Sequence, residues 1–253
     1  MKSLNNKLDR MLLKLEECTL HYKKLGHGKP LILLHGWGCN LSIFDGLVPT
    51  LAKHYELHLF DLPGFGLSSP PQNPYGSAEI ANLIIEACQK LQLHPYAILG
   101  HSFGGKITLE MAKNGFAERI ILIGSAGIKF PLNFKRRLQV WKHKLLKPFL
   151  KYSKTLSRFA SNCGSTDYRA ASGIMRQILV KVVNEDLRYL LPHIKQPALL
   201  IWGANDQETP LKAGYTMKEL LPKAELIVIP NSGHFPFLEH QKEVLSNVIR
   251  FLA

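Results

Sequence analysis

Hydrophobic positions along the chain fall into two alternating rhythms. Short, nearly unbroken apolar runs occur at Leu31-Ile32-Leu33-Leu34, Glu56-Leu57-His58-Leu59-Phe60, Tyr96-Ala97-Ile98-Leu99, Arg119-Ile120-Ile121-Leu122-Ile123, Ala198-Leu199-Leu200-Ile201-Trp202 and Glu225-Leu226-Ile227-Val228-Ile229. Runs of this length read as strands buried on both faces, the pattern of a parallel sheet covered by helices. Between them the apolar spacing turns helical, predicting helices over Ser42–Lys53, Ser77–Leu91 with Ser77 as N-cap, Lys106–Ala112, Leu211–Leu221 and Leu238–Leu252. Upstream, Met11–Glu16 and Thr19–Leu25 alternate, which predicts two antiparallel strands joined around Glu17-Cys18. Short loops between alternating strands and helices imply an α/β fold with a mostly parallel sheet and helices on both faces.

The rhythm breaks at Ser125. From about residue 127 to 191 the pattern is helical, with Phe134, Leu138, Trp141, Leu145, Phe149, Tyr152, Leu156 and Phe159 recurring at three- and four-residue spacing. Pro148 is expected to kink or break that helix. Ile174–Val183 and Asp186–Leu191 supply further helices. The expected organisation is a core of residues 1–126 and 192–253 with a helical cap of residues 127–191 inserted after a central strand.

In open α/β sheets ligands bind at the carboxyl ends of the strands, so the residues there matter most. Gly100-His101-Ser102-Phe103-Gly104 lies between a predicted strand and a predicted helix, which places Ser102 on a tight turn with its hydroxyl exposed. A serine needs a base at hydrogen-bond distance, and the base needs a partner that fixes its tautomer. Asp206 follows one buried strand and His234 follows the next, in the order Ser, Asp, His. Glu208 is the reserve for the acid. Of eleven histidines, His35 is read as organising its own loop and His58 lies mid-strand. His143 and His193 lie in or beside the cap, and His240 is read as a surface helix residue. His101 neighbours Ser102 but points elsewhere, because adjacent side chains diverge. Asp61, in a Pro/Gly-rich turn, is read as a loop-shaping acceptor of backbone N–H groups. The oxyanion donors expected are the backbone N–H groups of Trp37 and Phe103, with the side chains of Trp37, Phe103 and Trp141 as candidates to line a substrate pocket.

These motifs, with His35-Gly36-Trp37-Gly38, Asp61-Leu62-Pro63-Gly64-Phe65-Gly66-Leu67-Ser68, Asn205-Asp206 and Gly233-His234, span nearly the whole chain, which resembles the α/β-hydrolases of small serine carboxylesterase type. The Gly-Trp-Gly and Leu-Pro-Gly-Phe-Gly wording is similar to that of esterases acting on pimeloyl-acyl-carrier-protein methyl ester; His101 and Phe103 depart from it. The resemblance implies Ser102, Asp206 and His234 as a catalytic triad that cleaves carboxylic esters through an acyl-enzyme. The same triad serves C–C bond hydrolases, thioesterases, lipase-like enzymes and acyltransferases, and a catalytically silent member would be a ligand receptor. Dehalogenases and most epoxide hydrolases place a carboxylate where Ser102 stands, which disfavours those chemistries.

Charge and cysteines narrow the picture. The net charge is +13, but ten Lys/Arg and no acid fall between Lys129 and Arg158, leaving 22 basic (32 less 10) against 19 acidic residues elsewhere. The excess belongs to the cap, where Lys135, Arg136, Arg137, Lys142, Lys144, Lys147, Lys151 and Lys154 form either a solvated helix face or a surface for an acidic carrier protein or an anionic membrane. No nucleic-acid-reading motif accompanies it. Cys18, Cys39, Cys88 and Cys163 are widely spaced, so neither a disulfide framework nor a metal site is expected, and no cofactor is. The opening residues lack the apolar run of a signal peptide, and a cytoplasmic enzyme is expected.

Overall fold

The computed structural model describes residues 11–130 and 166–253. The predicted runs form one eight-stranded sheet. Its strands are β1 (Met11–Lys14), β2 (Thr19–Gly26), β3 (Lys29–Leu34), β4 (Tyr55–Phe60), β5 (Ala97–His101), β6 (Arg119–Ile123), β7 (Ala198–Gly203) and β8 (Ala224–Ile229), in the order β1-β2-β4-β3-β5-β6-β7-β8. β1 pairs β2 and β2 pairs β4 antiparallel; every later pairing is parallel. The register sets Leu34 opposite Gly100, His101 opposite Ile123, Ile123 opposite Ile201 and Gly203 opposite Ile229. The loops after β3, β5, β6, β7 and β8 therefore emerge side by side along one edge.

The helices, in chain order, are α1 (Val48–Leu51), α2 (Ser77–Lys90), α3 (Phe103–Lys113), α4 (Thr166–Ala170), α5 (Gly173–Val182), α6 (Leu211–Leu220), α7 (Pro236–Glu239) and α8 (Gln241–Leu252). The period-two alternation of the strands divides the core. Leu31, Leu33, Leu99, Ile121, Ile123, Leu199 and Ile201 face Leu51 of α1, Phe237 of α7 and Val244, Val248 and Leu252 of α8. On the other face Ile32, Leu34 and Ile98 meet α2, α3 and α5, while Ile120, Leu122, Leu200 and Trp202 meet Leu109 of α3 and Ala213 and Met217 of α6. Burying both faces of these strands explains why their sequences show continuous apolar runs rather than alternation.

Some predicted helices come out differently. The segment 42–53 is a 3₁₀ turn at Leu41–Phe44 followed by the single turn α1, because Asp45-Gly46 and Pro49 interrupt it. Gly76, not Ser77, caps α2, and the Gly76 N–H donates to Glu79 Oε2 at 2.7 Å. The last helix is divided at His240. Asp186–Leu190 is turns rather than helix, followed by a 3₁₀ turn at Leu191–His193. There the Asp186 carboxylate accepts the Arg188 N–H at 3.2 Å and Pro192 lacks a helical donor. The apolar stripe from Phe134 to Phe159, Pro148, Trp141, His143 and the basic positions from Lys135 to Lys154 lie outside the described residues. Among the described residues no helix is long and apolar enough to cross a membrane.

Candidate active site

Ser102 sits between β5 and α3 at φ 50°, ψ −111°, a left-handed conformation that costs a residue bearing a Cβ about 1–3 kcal/mol and that the surroundings must impose. They do so through glycine. A Cβ on Gly104 would overlap the Leu34 carbonyl and stand 2.6 Å from the His35 oxygen, so α3 can approach the end of β3 only without one. The Ser102 N–H donates to Ile123 O at 3.0 Å, and its carbonyl accepts from Ala126 N at 2.9 Å, which ties the turn to the end of β6.

The loops after β7 and β8 bring Asp206 and His234 together. His234 Nδ1 lies 2.8 Å from Asp206 Oδ2, and the Asp206 carboxylate is fully buried. Its other oxygen, Oδ1, accepts the backbone N–H groups of Glu208 and Thr209, both at 2.9 Å. Thr209 Oγ1 reaches Asp206 Oδ2 at 2.8 Å and Gly124 O at 2.9 Å, and the Thr209 carbonyl is held by Trp202 Nε1–H at 2.7 Å. Burial pushes the Asp206 carboxyl up, but the hydrogen bond and charge of His234 and the Thr209 donors together outweigh it and hold the pKa below the ordinary value. Glu208 is exposed and contributes its backbone N–H to Asp206, and of the two acids it is Asp206 that meets His234.

The loop after β3 approaches from the other side. His35 Nδ1 donates to Gly36 O at 2.8 Å and Nε2 accepts the Leu62 N–H at 2.9 Å, so the ring is a neutral strut. Burial lowers its pKa accordingly. Asp61 shapes the neighbouring turn as anticipated, accepting from Leu41 N at 2.7 Å and Leu67 N at 2.8 Å. It also meets His21 Nδ1 at 2.8 Å, a partner the sequence does not reveal. Trp37 packs edge-on against Phe65 and Phe103, with centroids 4.8 and 5.4 Å apart. Trp37, Phe65, Met175, Asp167, Ala170 and Ala171 line a cleft of about 280 Å³. Phe103 is buried behind Trp37 in the core, and Phe65 and Met175 are wall residues absent from the sequence-based pocket. Phe103 opens α3, so its N–H is among the helix's unpaired donors.

His101 points away from Ser102, as alternation predicts, but that direction brings it to the base: its Nε2 is 2.9 Å from the His234 carbonyl oxygen and its ring centroid 4.8 Å from that of His234. Thr209 and His101, like Phe65 and Met175, are site residues that sequence reasoning missed. Behind the site, Lys106 Nζ donates to Val182 O at 2.5 Å and Glu185 O at 3.3 Å and lies 3.5 Å from the Glu185 carboxylate, fastening the end of α5 to α3. Burial lowers the Lys106 pKa, with the Glu185 charge opposing.

A strained serine at the turn after β5 and an Asp–His pair on the loops after β7 and β8 thus emerge along the same edge of the sheet. The profile of the alpha/beta hydrolase family matches residues 31–247. The chain belongs to that family. Among curated relatives, it is 31% identical to the pimeloyl-acyl-carrier-protein methyl ester esterase of Nitrosospira multiformis, over 93% of this chain and 98% of that one. It is 32% identical to the enzyme of the same name from Xanthomonas oryzae, over 92% and 99%. Among solved structures, a hydrolase from Pseudomonas aeruginosa superposes with a TM-score of 0.77 at 22% identity, covering 97% of this chain and 98% of the other. An esterase from Exiguobacterium antarcticum gives 0.76 at 24%, covering 95% and 98%. The family makes the chain an α/β-hydrolase, its curated relatives are named as ester hydrolases, and the two structures speak for the fold alone.

Proposed function

We propose that this hydrolase cleaves carboxylic esters with Ser102 as nucleophile, His234 as general base and Asp206 as the group that orients and stabilises the imidazole. The observation that carries this reading is the 2.8 Å bond from His234 to a buried Asp206, presented beside a serine held at φ 50°. His234 Nε2 takes the Ser102 proton as Oγ attacks the ester carbonyl, and the oxyanion accepts the N–H groups of Trp37 and Phe103. Collapse expels the alcohol, protonated by His234, and leaves an acyl-serine. Water then attacks with His234 again as base and releases the acid and free Ser102.

The cleft between Trp37, Phe65 and Met175 is assigned to part of the ester. The described part of the stretch 127–191 contributes to this edge through α4 and α5, whose Asp167, Ala170 and Met175 line the cleft. The relatives' names make a methyl ester on a carrier-borne acyl chain the first substrate class to test. The block of ten cations between Lys129 and Arg158 supports it, because carrier proteins of this kind are acidic.

Two measurements test the reading. A p-nitrophenyl ester series of increasing chain length, run on the wild type and Ser102→Ala, should show turnover that the variant loses; equal turnover in both refutes the nucleophile. Hydrolysis of a carrier-linked methyl ester should fall with added salt while a small neutral ester is unaffected. Equal salt dependence refutes docking through the basic block.

A further inference from the structure

His101 precedes the proposed nucleophile, yet strand alternation turns it to the sheet face covered by α7 and α8. There it lies between Phe235 and Phe237, with ring centroids 4.9 and 5.0 Å away. It is 1% exposed. Its Nε2 meets the His234 carbonyl, which can only accept, so the ring proton resides on Nε2. Nδ1 is then a buried lone pair, and it has no hydrogen-bond partner. It is turned toward Gly36, where a Cβ would come within 2.9 Å of it and within 3.2 Å of the Ser102 Cβ. Burial, reinforced by the neighbouring His234, drives the His101 pKa down to about 3, so the ring stays neutral.

One buried ring, on the residue before the serine, therefore bonds the backbone of His234 and faces the loop that leads to Trp37. A phenylalanine would fill the same aromatic cage without stranding a lone pair, so what distinguishes this side chain is the single Nε2–H donor. The other bonds along the loop after β8, Asn205 N–H to Ser232 O at 2.8 Å and Gly233 N–H to Glu239 Oε2 at 2.7 Å, fasten residues before the histidine.

We propose that His101 is a positioning residue: its Nε2–H bond to the His234 carbonyl fixes the base over the serine turn, so that the imidazole can face Ser102 while remaining bonded to Asp206. This rests on His234 being the base of the reaction above. It gives the histidine of this Gly-His-Ser-Phe-Gly turn a task distinct from that of the triad.

Three variants test it. His101→Phe keeps the ring and removes the donor. His101→Gln places an amide N–H near the position of Nε2, and His101→Asn places it one methylene short. With a short p-nitrophenyl ester, His101→Phe should lose about ten- to hundredfold in kcat, the scale of a small misplacement, with KM unchanged. His101→Gln should recover most of that loss and His101→Asn should not. In parallel, the ring ¹⁵N shifts of His234, assigned by their loss in His234→Ala, should report one Nδ1–H tautomer in the wild type and in His101→Gln, and a mixture in His101→Phe. Equal impairment in Phe and Gln would mean that shape rather than the donor matters, and an unimpaired Phe variant would mean that neither does; either overturns the proposal. If His101→Phe fails to fold, the ranking of Gln over Asn supports the proposal and their equality overturns it. Should the wild type show no Ser102-dependent turnover, the hydrolase reading fails by itself. The His234 shifts still decide on His101: restoration by Gln supports its positioning role, and identical shifts in all variants overturn it.

Discussion

Asp206→Asn separates the charge of the carboxylate from its shape, and the geometry dictates which way the new amide must face. Oδ1 accepts two backbone N–H groups, from Glu208 and Thr209, both at 2.9 Å. Neither can rotate, so an asparagine must put its oxygen there and its NH₂ at the position of Oδ2. That group then donates to His234 Nδ1, now 2.8 Å from Oδ2, and Nδ1 must become the acceptor. The single ring proton moves to Nε2, the atom that has to take the proton from Ser102. The Thr209 hydroxyl, which shares itself between Oδ2 and Gly124 O at 2.9 Å, turns wholly to the carbonyl.

The fold should lose little and the chemistry much. Exchanging charge-assisted for neutral hydrogen bonds costs about 1–3 kcal/mol, and at this chain length each kcal/mol lowers Tm by about 2–4 °C. Reversing the tautomer in a serine protease lowers kcat by about 10⁴-fold, and the same order is expected here. The assay is kcat on a p-nitrophenyl ester at neutral pH beside a thermal melt, with Glu208→Gln as control. The control's carboxylate is exposed, and it should stay within about twofold of wild type. Asp206→Asn within about tenfold of wild-type kcat would refute the claim that Asp206 sets the tautomer of His234. A larger effect from Glu208→Gln would transfer the role to its neighbour.

Three further outcomes follow from the same geometry. Gly104→Ala forces a methyl against the Leu34 and His35 carbonyls, which are backbone and cannot swing aside, so a melt should show a loss of about 1–3 kcal/mol together with reduced kcat; an unchanged Tm refutes the close approach of α3 to β3. Lys106→Met removes the donor to Val182 O and Glu185 O, so urea unfolding should register a loss of about 1–3 kcal/mol and proteolysis within 173–190 should quicken; wild-type values for both would show that the lysine does not fasten α5. The His101 pKa is depressed from 6.5 to about 3, so the unfolded chain binds the proton first as pH falls. Stability from this group is complete above about pH 6.5 and drains at about 1.4 kcal/mol per pH unit toward pH 3, a slope that should shrink in His101→Gln and whose persistence there would refute its origin in His101.

Much of this architecture is legible in the sequence because burial on both faces leaves its mark on each strand. Ile120–Ile123 and Leu199–Trp202 could hardly be anything else, and the end of the second leads directly to the loop of Asp206. What was not legible depends on competition between local signals. The apolar spacing of residues 42–53 is helical, but Gly46 and Pro49 divide it; that of 186–191 is helical too, and an Asp186 side chain capturing the Arg188 N–H leads it into turns. Thr209 carries no sequence signal of its own. Its role comes from lying three residues beyond Asp206 on a turn whose carbonyl Trp202 happens to hold.

His101 was within reach of sequence reasoning, and the step that was missing is parity. Ala97, Leu99 and His101 share one face of β5, and Leu31, Leu33, Ile121 and Ile123 continue that face across the sheet. The chain ends with an amphipathic helix that must cover one face, and the loop leading into that helix carries the histidine. If the last helix covers the face of Leu99, the loop with His234 has to cross directly over position 101 before it can descend onto the core. A side chain at that position is then confined beneath the base whatever its identity. Only one with a donor at the reach of Nε2 can bond the carbonyl passing above it.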